Sequence, residues 1–499
     1  MLYQSTRGKA EAVSSVRAVL NGLAEDGGLY MPSAFPRQEA FEWKALIGRP
    51  FTEMAEAVFS YFLDDYPDIA GIVRRAYRGK FDTEEVTPLK KVGDRFVLEL
   101  FHGPTSAFKD VALSALPVLM SDAIELAGQG EEILILTATS GDTGKAAMEG
   151  FRDVERIRII VFYPYGGVSP VQEKQMTSQA GKNVQATAIR GNFDDAQTAV
   201  KSIFKQAAEQ GMPAGTHTVL SSANSINIGR LVPQIVYYFK AYSDLVGRSE
   251  IQEGDPIDFT VPTGNFGDIL AGYFAKRMGL PIRKLVCASN ENNVLTDFLE
   301  TGRYDRNRPF FKTSSPSMDI LVSSNLERLL YLLYRGDGET VRGLMEDLSS
   351  VGTYTVSEEV FERLSEEFSA GFADDVETAD TIREVYERYG CLLDPHTAVA
   401  WFVATTELFR EQGNAVPNVV LSTASPYKFP KDVLNALGYP APGDPFEVMD
   451  ELCRVTGVPI PKNLAALRGL PVRFDDVIDR DEIIEYVAGK IRCYEDEEK

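Results

Sequence analysis

One pattern constrains this chain more than any other. From about residue 95 onward, short apolar segments (RFVLELF, EEILILTA, RIRIIVFYP, NVQATAIRG, IDFTVP, LVCASNEN and NVVLSTASP) alternate with longer stretches of helical periodicity. Apolar runs of strand length, each followed by a helix that must pack back, imply parallel strands covered on both faces. The class is therefore α/β. At 499 residues the chain exceeds one compact core, so two or three domains are expected.

Two regions depart from the alternation. Residues 1 to about 90 read as mixed and mainly helical, with EAVSSVRAVLNGLAEDGG a helix that stops on Gly27-Gly28 and FTEMAEAVFSYFLDDY a second amphipathic helix. Residues from about 303 to 390 are acidic and helical in pattern, as in VSEEVFERLSEEF, and read as an inserted lobe. Between Asp110 and about Leu126 a single helix is expected, kinked by Pro117. The closing YEDEEK reads as a solvated tail.

Charge and residue usage exclude several classes. A formal net charge of -22 opposes binding to nucleic acid or to an anionic membrane surface. Any anion site must be locally positive against that field, which salt screens within about 10 Å. The four cysteines, Cys287, Cys391, Cys453 and Cys493, form no CxxC motif and suit a reducing compartment. Three histidines are too few to suggest a His-based metal site. The N-terminus MLYQSTRGKAEAV lacks the apolar stretch of a secretory leader, and no apolar run approaches the ~18–20 residues that span a bilayer. A soluble cytoplasmic protein is the expectation.

Three polar turns sit where strands give way to helices. Thr263-Gly264-Asn265-Phe266-Gly267 offers free backbone N–H groups at a helix start and glycines that permit close approach, which suits a phosphate. It is neither a GK[ST] loop nor GxGxxG, and on its own it reads equally as a tight turn without ligand. Thr139-Ser140-Gly141-Asp142-Thr143-Gly144 could grip a carboxylate, or could simply cap a helix. Lys109 follows the third strand end. In an apolar pocket its amine would have a lowered pKa and could form a Schiff base, whereas at the surface it would only start a helix. In an open parallel sheet such turns share the crevice at the carboxyl ends of the strands. Two anion cradles there suit a ligand with two anionic ends.

The run Phe101-His102-Gly103-Pro104-Thr105-Ser106-Ala107-Phe108-Lys109-Asp110 resembles the pyridoxal-phosphate lysine signature of the threonine synthase family. STRG, GLAEDGGLYMP, ATSGDTGKAA, SSANSINIGRLVPQ, VPTGNFGDILAGY, PSMDILVSSNLERLLY, LLDPHTAVA and STASPYKFP resemble further segments of that family, in its order and over nearly the whole chain. The acidic insertion resembles the family's longer form.

The resemblance implies two open, mostly parallel sheets of the tryptophan synthase β-subunit type, with a helical N-terminal region and a helical insertion. It implies an N-terminal region over 1–94, a smaller α/β domain over 95–250, a larger one over 251–440 holding the insertion, and an extension over 441–499. It assigns Lys109 the cofactor linkage. It gives the cofactor phosphate to Gly264, Asn265, Phe266 and Gly267, and the pyridine nitrogen to Thr423. The substrate carboxylate falls to Thr139, Ser140, Asp142 and Thr143. For the substrate phosphate, Arg230 and Lys428 are the candidate cations, with Asn224, Ser225 and Asn227 as neutral donors and Lys145 weaker.

The implied reaction is O-phospho-L-homoserine plus water giving L-threonine and phosphate, with Lys109 moving protons at Cα and Cβ, in a monomer or homodimer. A threonine or serine dehydratase would share the fold but release a keto acid, and a phospho-lyase would release phosphate without threonine. An idle cofactor-binding protein would show the bound cofactor without turnover. His396, after Asp394-Pro395, reads mainly as part of a helix cap, and His102 stands open between a structural and a site role.

Overall fold

The computed structural model describes residues 1–35, 41–128, 132–191, 193–210, 218–410, 416–441 and 443–497. Two open sheets carry the architecture. The larger has six strands in the order Phe368–Phe372, Ile282–Ser289, Ile257–Pro262, Asn418–Ser422, Arg95–Glu99 and Leu89–Val92. All neighbours are parallel except the last pair, which forms an antiparallel hairpin. The smaller has five parallel strands in the order Val477–Asp479, Val184–Arg190, Ile157–Pro164, Glu132–Ala138 and Thr218–Ser221. Central strands such as Ile257–Pro262 and Asn418–Ser422 are buried at every position, as expected where helices cover both faces.

The helix Ile228–Gly247 ties the molecule together. It is apolar or buried on nearly every side and packs against the helices Phe51–Phe62 and Gly267–Arg277. One continuous apolar core runs from Tyr3 and Val19 through Leu116 and Ile235 to Leu285 and Leu364, so the N-terminal region is built into the body.

Several elements depart from expectation. The first helix is Ser15–Asn21 and ends at Gly22, whose φ of +69° takes the left-handed turn five residues before Gly27. It is flanked by a three-stranded antiparallel sheet of Val13–Ser14, Leu2–Ser5 and Tyr30–Pro32. The helix expected over 110–126 is two helices, Lys109–Leu113 and Leu116–Ala127. Pro117 lies in the first turn of the second, where its missing N–H costs nothing, so it starts a helix instead of kinking one. The insertion is not wholly helical. Arg303–Asp305 pairs with Thr353–Thr355, and Phe368–Phe372 joins the larger sheet as its edge strand. The strand Arg95–Glu99, grouped above with the smaller α/β unit, pairs with Asn418–Ser422 in the larger sheet. Near the C-terminus the backbone stays helical to Glu497, so most of YEDEEK continues a helix. No helix among the described residues is long and apolar enough to cross a membrane.

Candidate active site

Five polar segments follow parallel strands at their carboxyl ends, and residues from all five line one cavity of about 1050 Å³. Those residues are Lys109 after Arg95–Glu99, Thr139, Ser140 and Thr143 after Glu132–Ala138, Asn224, Ser225 and Arg230 after Thr218–Ser221, Gly264 to Gly267 after Ile257–Pro262, and Thr423 after Asn418–Ser422.

The Lys109 loop is held from both sides. The Asp110 carboxylate accepts hydrogen bonds from the Thr105 amide (2.9 Å) and hydroxyl (2.6 Å), folding the loop back on itself, while Ser106 takes a left-handed φ of +61°. Phe108 N–H donates to Thr423 O at 2.8 Å, and Ser425 N–H to Ser106 O at 3.1 Å. The lysine and Thr423, distant in sequence, are therefore stitched edge to edge.

Lys109 is only 9% exposed, and its amine lies 5.1 Å from the Phe108 ring centre. Burial lowers its pKa to about 8, Arg230 and Lys428 push the same way, and Asp142 and Asp268 oppose them. Among the described residues its ammonium makes no hydrogen bond.

The Thr263–Gly267 turn has the geometry of a cradle. Phe266 caps the helix Gly267–Arg277 with φ +62°. A Cβ on Gly264 would stand 2.6 Å from Ser317 O, so only glycine fits. Ser323 Oγ donates to Gly264 O (2.7 Å), and Asn325 Nδ2 donates to both Asn265 O (3.0 Å) and Ser225 Oγ (3.1 Å). These bonds restrain the carbonyls and leave the amides of Gly264 to Gly267 for an anion, while the Thr263 amide donates to Ala288 O (2.8 Å).

In the Thr139–Gly144 turn, Thr139 Oγ1 accepts from Gly141 N (3.0 Å) and Gly144 N (2.8 Å), while Thr139, Ser140 and Thr143 line the cavity. Asp142 does not line it. Asp142 turns inward to Lys428, whose Nζ lies 2.6 Å from its Oδ1. Lys428 is fully buried and does not line the cavity either; its Nζ is engaged by Asp142 and by Thr105 O. Asn227 is likewise occupied: it caps the helix Ile228–Gly247 and donates to Val19 O and Ser222 O. Lys145 pairs with Glu149 and Gln179, outside the cavity.

Arg230 alone among the expected phosphate cations reaches the cavity. Its Nη1 donates to Ala223 O (2.8 Å) and its buried Nε has no partner. Burial pulls its pKa to about 10.

Other residues at the cavity were not expected from the sequence. Asp268, in the first turn after the cradle, is buried under the hydroxyls of Tyr237 and Tyr238, and its Oδ2 has no partner. Burial pushes its pKa up to about 7 against the effect of those bonds. An acidic residue directly after GNFG was its only local signal. Arg7 and Glu327 face the cavity as a two-point ion pair, 3.0 Å at each contact, joining segments that no local pattern connects.

His396 lines the cavity too. Its Nδ1 contacts Asp394 (2.8 Å) and its Nε2 accepts from Ser317 N–H (3.2 Å), so it is a helix-start residue that also touches the site. His102 lies elsewhere, between Glu99 (2.9 Å) and Asp82 (2.6 Å); burial works against its charged form, but the two carboxylates raise its pKa.

A buried lysine amine, a glycine-bounded anion cradle and a hydroxyl at the end of the neighbouring strand define a pyridoxal-phosphate enzyme, and residues 82–424 match the family description "Pyridoxal-phosphate dependent enzyme". Residues 2–77 match "Threonine synthase N terminus", and residues 397–487 match "Threonine synthase, C-terminal". The chain belongs to the threonine synthase family. It is 42% identical over 480 residues to threonine synthase of Pseudomonas aeruginosa, covering 94% of this chain and 97% of that one. It is 41% identical over 442 residues to human threonine synthase-like 1; the match takes in 86% of this chain but only 58% of that longer relative. Among solved structures it resembles PLP-bound threonine synthase from Brucella melitensis (42% identity, TM-score 0.83, covering 99% of this chain and 100% of the other). It also resembles threonine synthase from yeast (35% identity, TM-score 0.86, covering 99% of both chains).

Proposed function

We propose that this chain converts O-phospho-L-homoserine and water to L-threonine and phosphate, the last step of threonine biosynthesis within the aspartate family. The observation that carries the reading is the buried Lys109 amine in one cavity with the Gly264–Gly267 cradle, the Thr139–Thr143 turn and Arg230.

When bound, pyridoxal phosphate supplies an electron sink for negative charge at the substrate α-carbon. The residues of the chain do the rest. Gly264, Asn265, Phe266 and Gly267 would hold the cofactor phosphate through backbone amides, and the Thr423 hydroxyl would meet the ring nitrogen. Thr139, Ser140 and Thr143 orient the substrate carboxylate. Arg230, with its unpaired Nε, takes the substrate phosphate beside Asn224 and Ser225. Lys109 would hold the cofactor; its neutral amine would take the proton from Cα, pass it on to solvent, and, neutral again, take the second proton from Cβ. An amine with a pKa near 8 is partly neutral at physiological pH, as a proton acceptor must be. Asp142, Asn227 and Lys428 support these groups from behind the cavity wall.

We further propose that residues 1–94, 95–250, 251–440 and 441–499 act as the four functional regions, and that the protein works in the cytoplasm as a monomer or homodimer. It binds neither nucleic acid nor membrane. The net charge of -22 and the free thiols of Cys287, Cys391 and Cys453 support this.

The test is simultaneous measurement of phosphate and threonine from phosphohomoserine. Equal yields of both are expected, with Lys109→Ala reducing turnover by at least about 10³-fold. Release of 2-oxobutanoate, or of phosphate without threonine, would replace the reading with a dehydratase or a phospho-lyase.

A further inference from the structure

Asp142 begins the helix Asp142–Gly150 on the smaller sheet, and Lys428 follows the strand Asn418–Ser422 of the larger one. Their ion pair (2.6 Å) crosses from one sheet to the other and is sealed from solvent, Lys428 being 0% exposed. Lys428 Nζ also donates to Thr105 O (3.1 Å), inside the Lys109 loop. On the Asp142 side, Gln172 Nε2 donates to Oδ1 (2.8 Å) and Ser317 Oγ to Oδ2 (3.4 Å); the Ser317 amide in turn donates to His396 Nε2 (3.2 Å). One buried pair thus touches the Thr139–Thr143 turn, the Lys109 loop and the far wall of the cavity.

A buried ion pair is a poor way to gain stability, because desolvation offsets the attraction and apolar replacements often do as well. Its place in the fold calls for another reason. We propose that Asp142 and Lys428 are positioning residues: the pair registers the Thr139–Thr143 turn on the Lys109 loop, and Lys428 keeps the Asp142 carboxylate from capturing the Lys109 amine. The first half of this rests on the reading that the turn receives the substrate carboxylate.

The charges around Lys109 show why a partner for Asp142 is needed. The charge on Lys109 feels Asp142 of the helix Asp142–Gly150, Arg230 of Ile228–Gly247, Asp268 of Gly267–Arg277 and Lys428. Asp142 and Asp268 favour the ammonium form, and Arg230 and Lys428 oppose it. Asp142 itself is faced by Lys428, Lys109 and His396. With Lys428 gone, Lys109 is the cation that acts most strongly on the Asp142 carboxylate. An ammonium held there cannot accept a proton from the substrate.

The test uses Lys428→Met, Asp142→Asn and the double variant in the full-length chain. Two quantities are read: the pH profile of kcat with phosphohomoserine, and the pH midpoint of Lys109 reductive methylation in the cofactor-free chain, followed by mass spectrometry. In K428M, kcat at neutral pH should fall about 100-fold or more, and the Lys109 midpoint should rise by about one pH unit. D142N should move the midpoint down. The double variant should regain about tenfold in kcat over K428M, with its midpoint near that of the parent.

A merely structural pair predicts midpoints that stay put, or that move the same way in both single variants; either result overturns the proposal. If K428M does not fold, D142N decides alone: a lowered midpoint supports the proposal and an unchanged one overturns it. Failure of the parent chain to turn over phosphohomoserine would remove the functional reading but leave the methylation result intact.

Discussion

A carboxyl group in water ionises near pH 4, and a lysine amine holds its proton to about pH 10.4. In this cavity both move toward neutrality, Asp268 up to about 7 and Lys109 down to about 8, because burial penalises the charged form of each. The consequences for stability have definite signs. Between pH 3.8 and about 7 the folded chain keeps a proton on Asp268 that the unfolded chain has lost, so this group destabilises the fold as pH rises through that window. Lys109 acts later and oppositely: between about pH 8 and 10.5 the unfolded chain holds the extra proton, and stability rises with pH. Urea unfolding of the cofactor-free chain at pH 4.5 and 7.5 should therefore show Asp268→Asn gaining on the parent as pH rises, by at most roughly 4 kcal/mol. The place of Lys109 after a strand was legible in the sequence because its strand, loop and helix are consecutive, but only the family resemblance gave it a cofactor role. Asp268 was not, because its meaning comes from Tyr237 and Tyr238, which belong to another helix.

At the scale of elements, strand-turn-helix units were legible and their exceptions were not. The turns at Thr139 and Thr263 were legible as polar helix starts, through their glycines and hydroxyls, but those residues alone did not separate an anion site from a plain cap. The break between Lys109–Leu113 and Leu116–Ala127 leaves no such mark beyond Pro117, and FSAGF, inside the lobe read as helical, is a strand only because the neighbouring strand Ile282–Ser289 gives it a partner. Two substitutions separate ornament from necessity. Pro117→Ala should cost less than about 1 kcal/mol in thermal unfolding, because the first turn needs no N–H from that position. Gly264→Ala should leave the fold intact but weaken pyridoxal phosphate binding at least about tenfold in a fluorescence titration, since the added methyl meets Ser317 O and must displace the turn.

Across the whole molecule, the start of the helix Leu326–Leu333 acts as a junction. Arg328 is 0% exposed and donates to Tyr30 O (3.1 Å), Asn325 Oδ1 (2.5 Å) and Ile226 O (2.6 Å), while Glu327 receives Thr6 (2.6 Å) and Arg7. The N-terminal region, the Asn224–Asn227 loop and the anion cradle, restrained by Asn325, all meet there. Arg328→Met should destabilise the chain by roughly 3–5 kcal/mol, because two buried acceptors and a half-buried one lose their donor. Limited proteolysis should then cut first within residues 1–35. None of these long-range pairings is written in local sequence, for they join segments that lie about 100 to 320 residues apart in the chain.

The order of strands in the larger sheet has a consequence during synthesis. Arg95–Glu99 has Leu89–Val92 on one side, but its other neighbour is Asn418–Ser422, which leaves the ribosome some 320 residues later. At translation rates of about 5–20 residues per second, that wait is roughly 15–60 s. For that time the strand that precedes Lys109 has one unpaired edge and is open to wrong partners. The nascent chain therefore has the lysine from an early stage but no floor beneath it. Cofactor capture must follow release of most of the chain, and the folding yield in a cell should depend on chaperones that shield that edge in the interval.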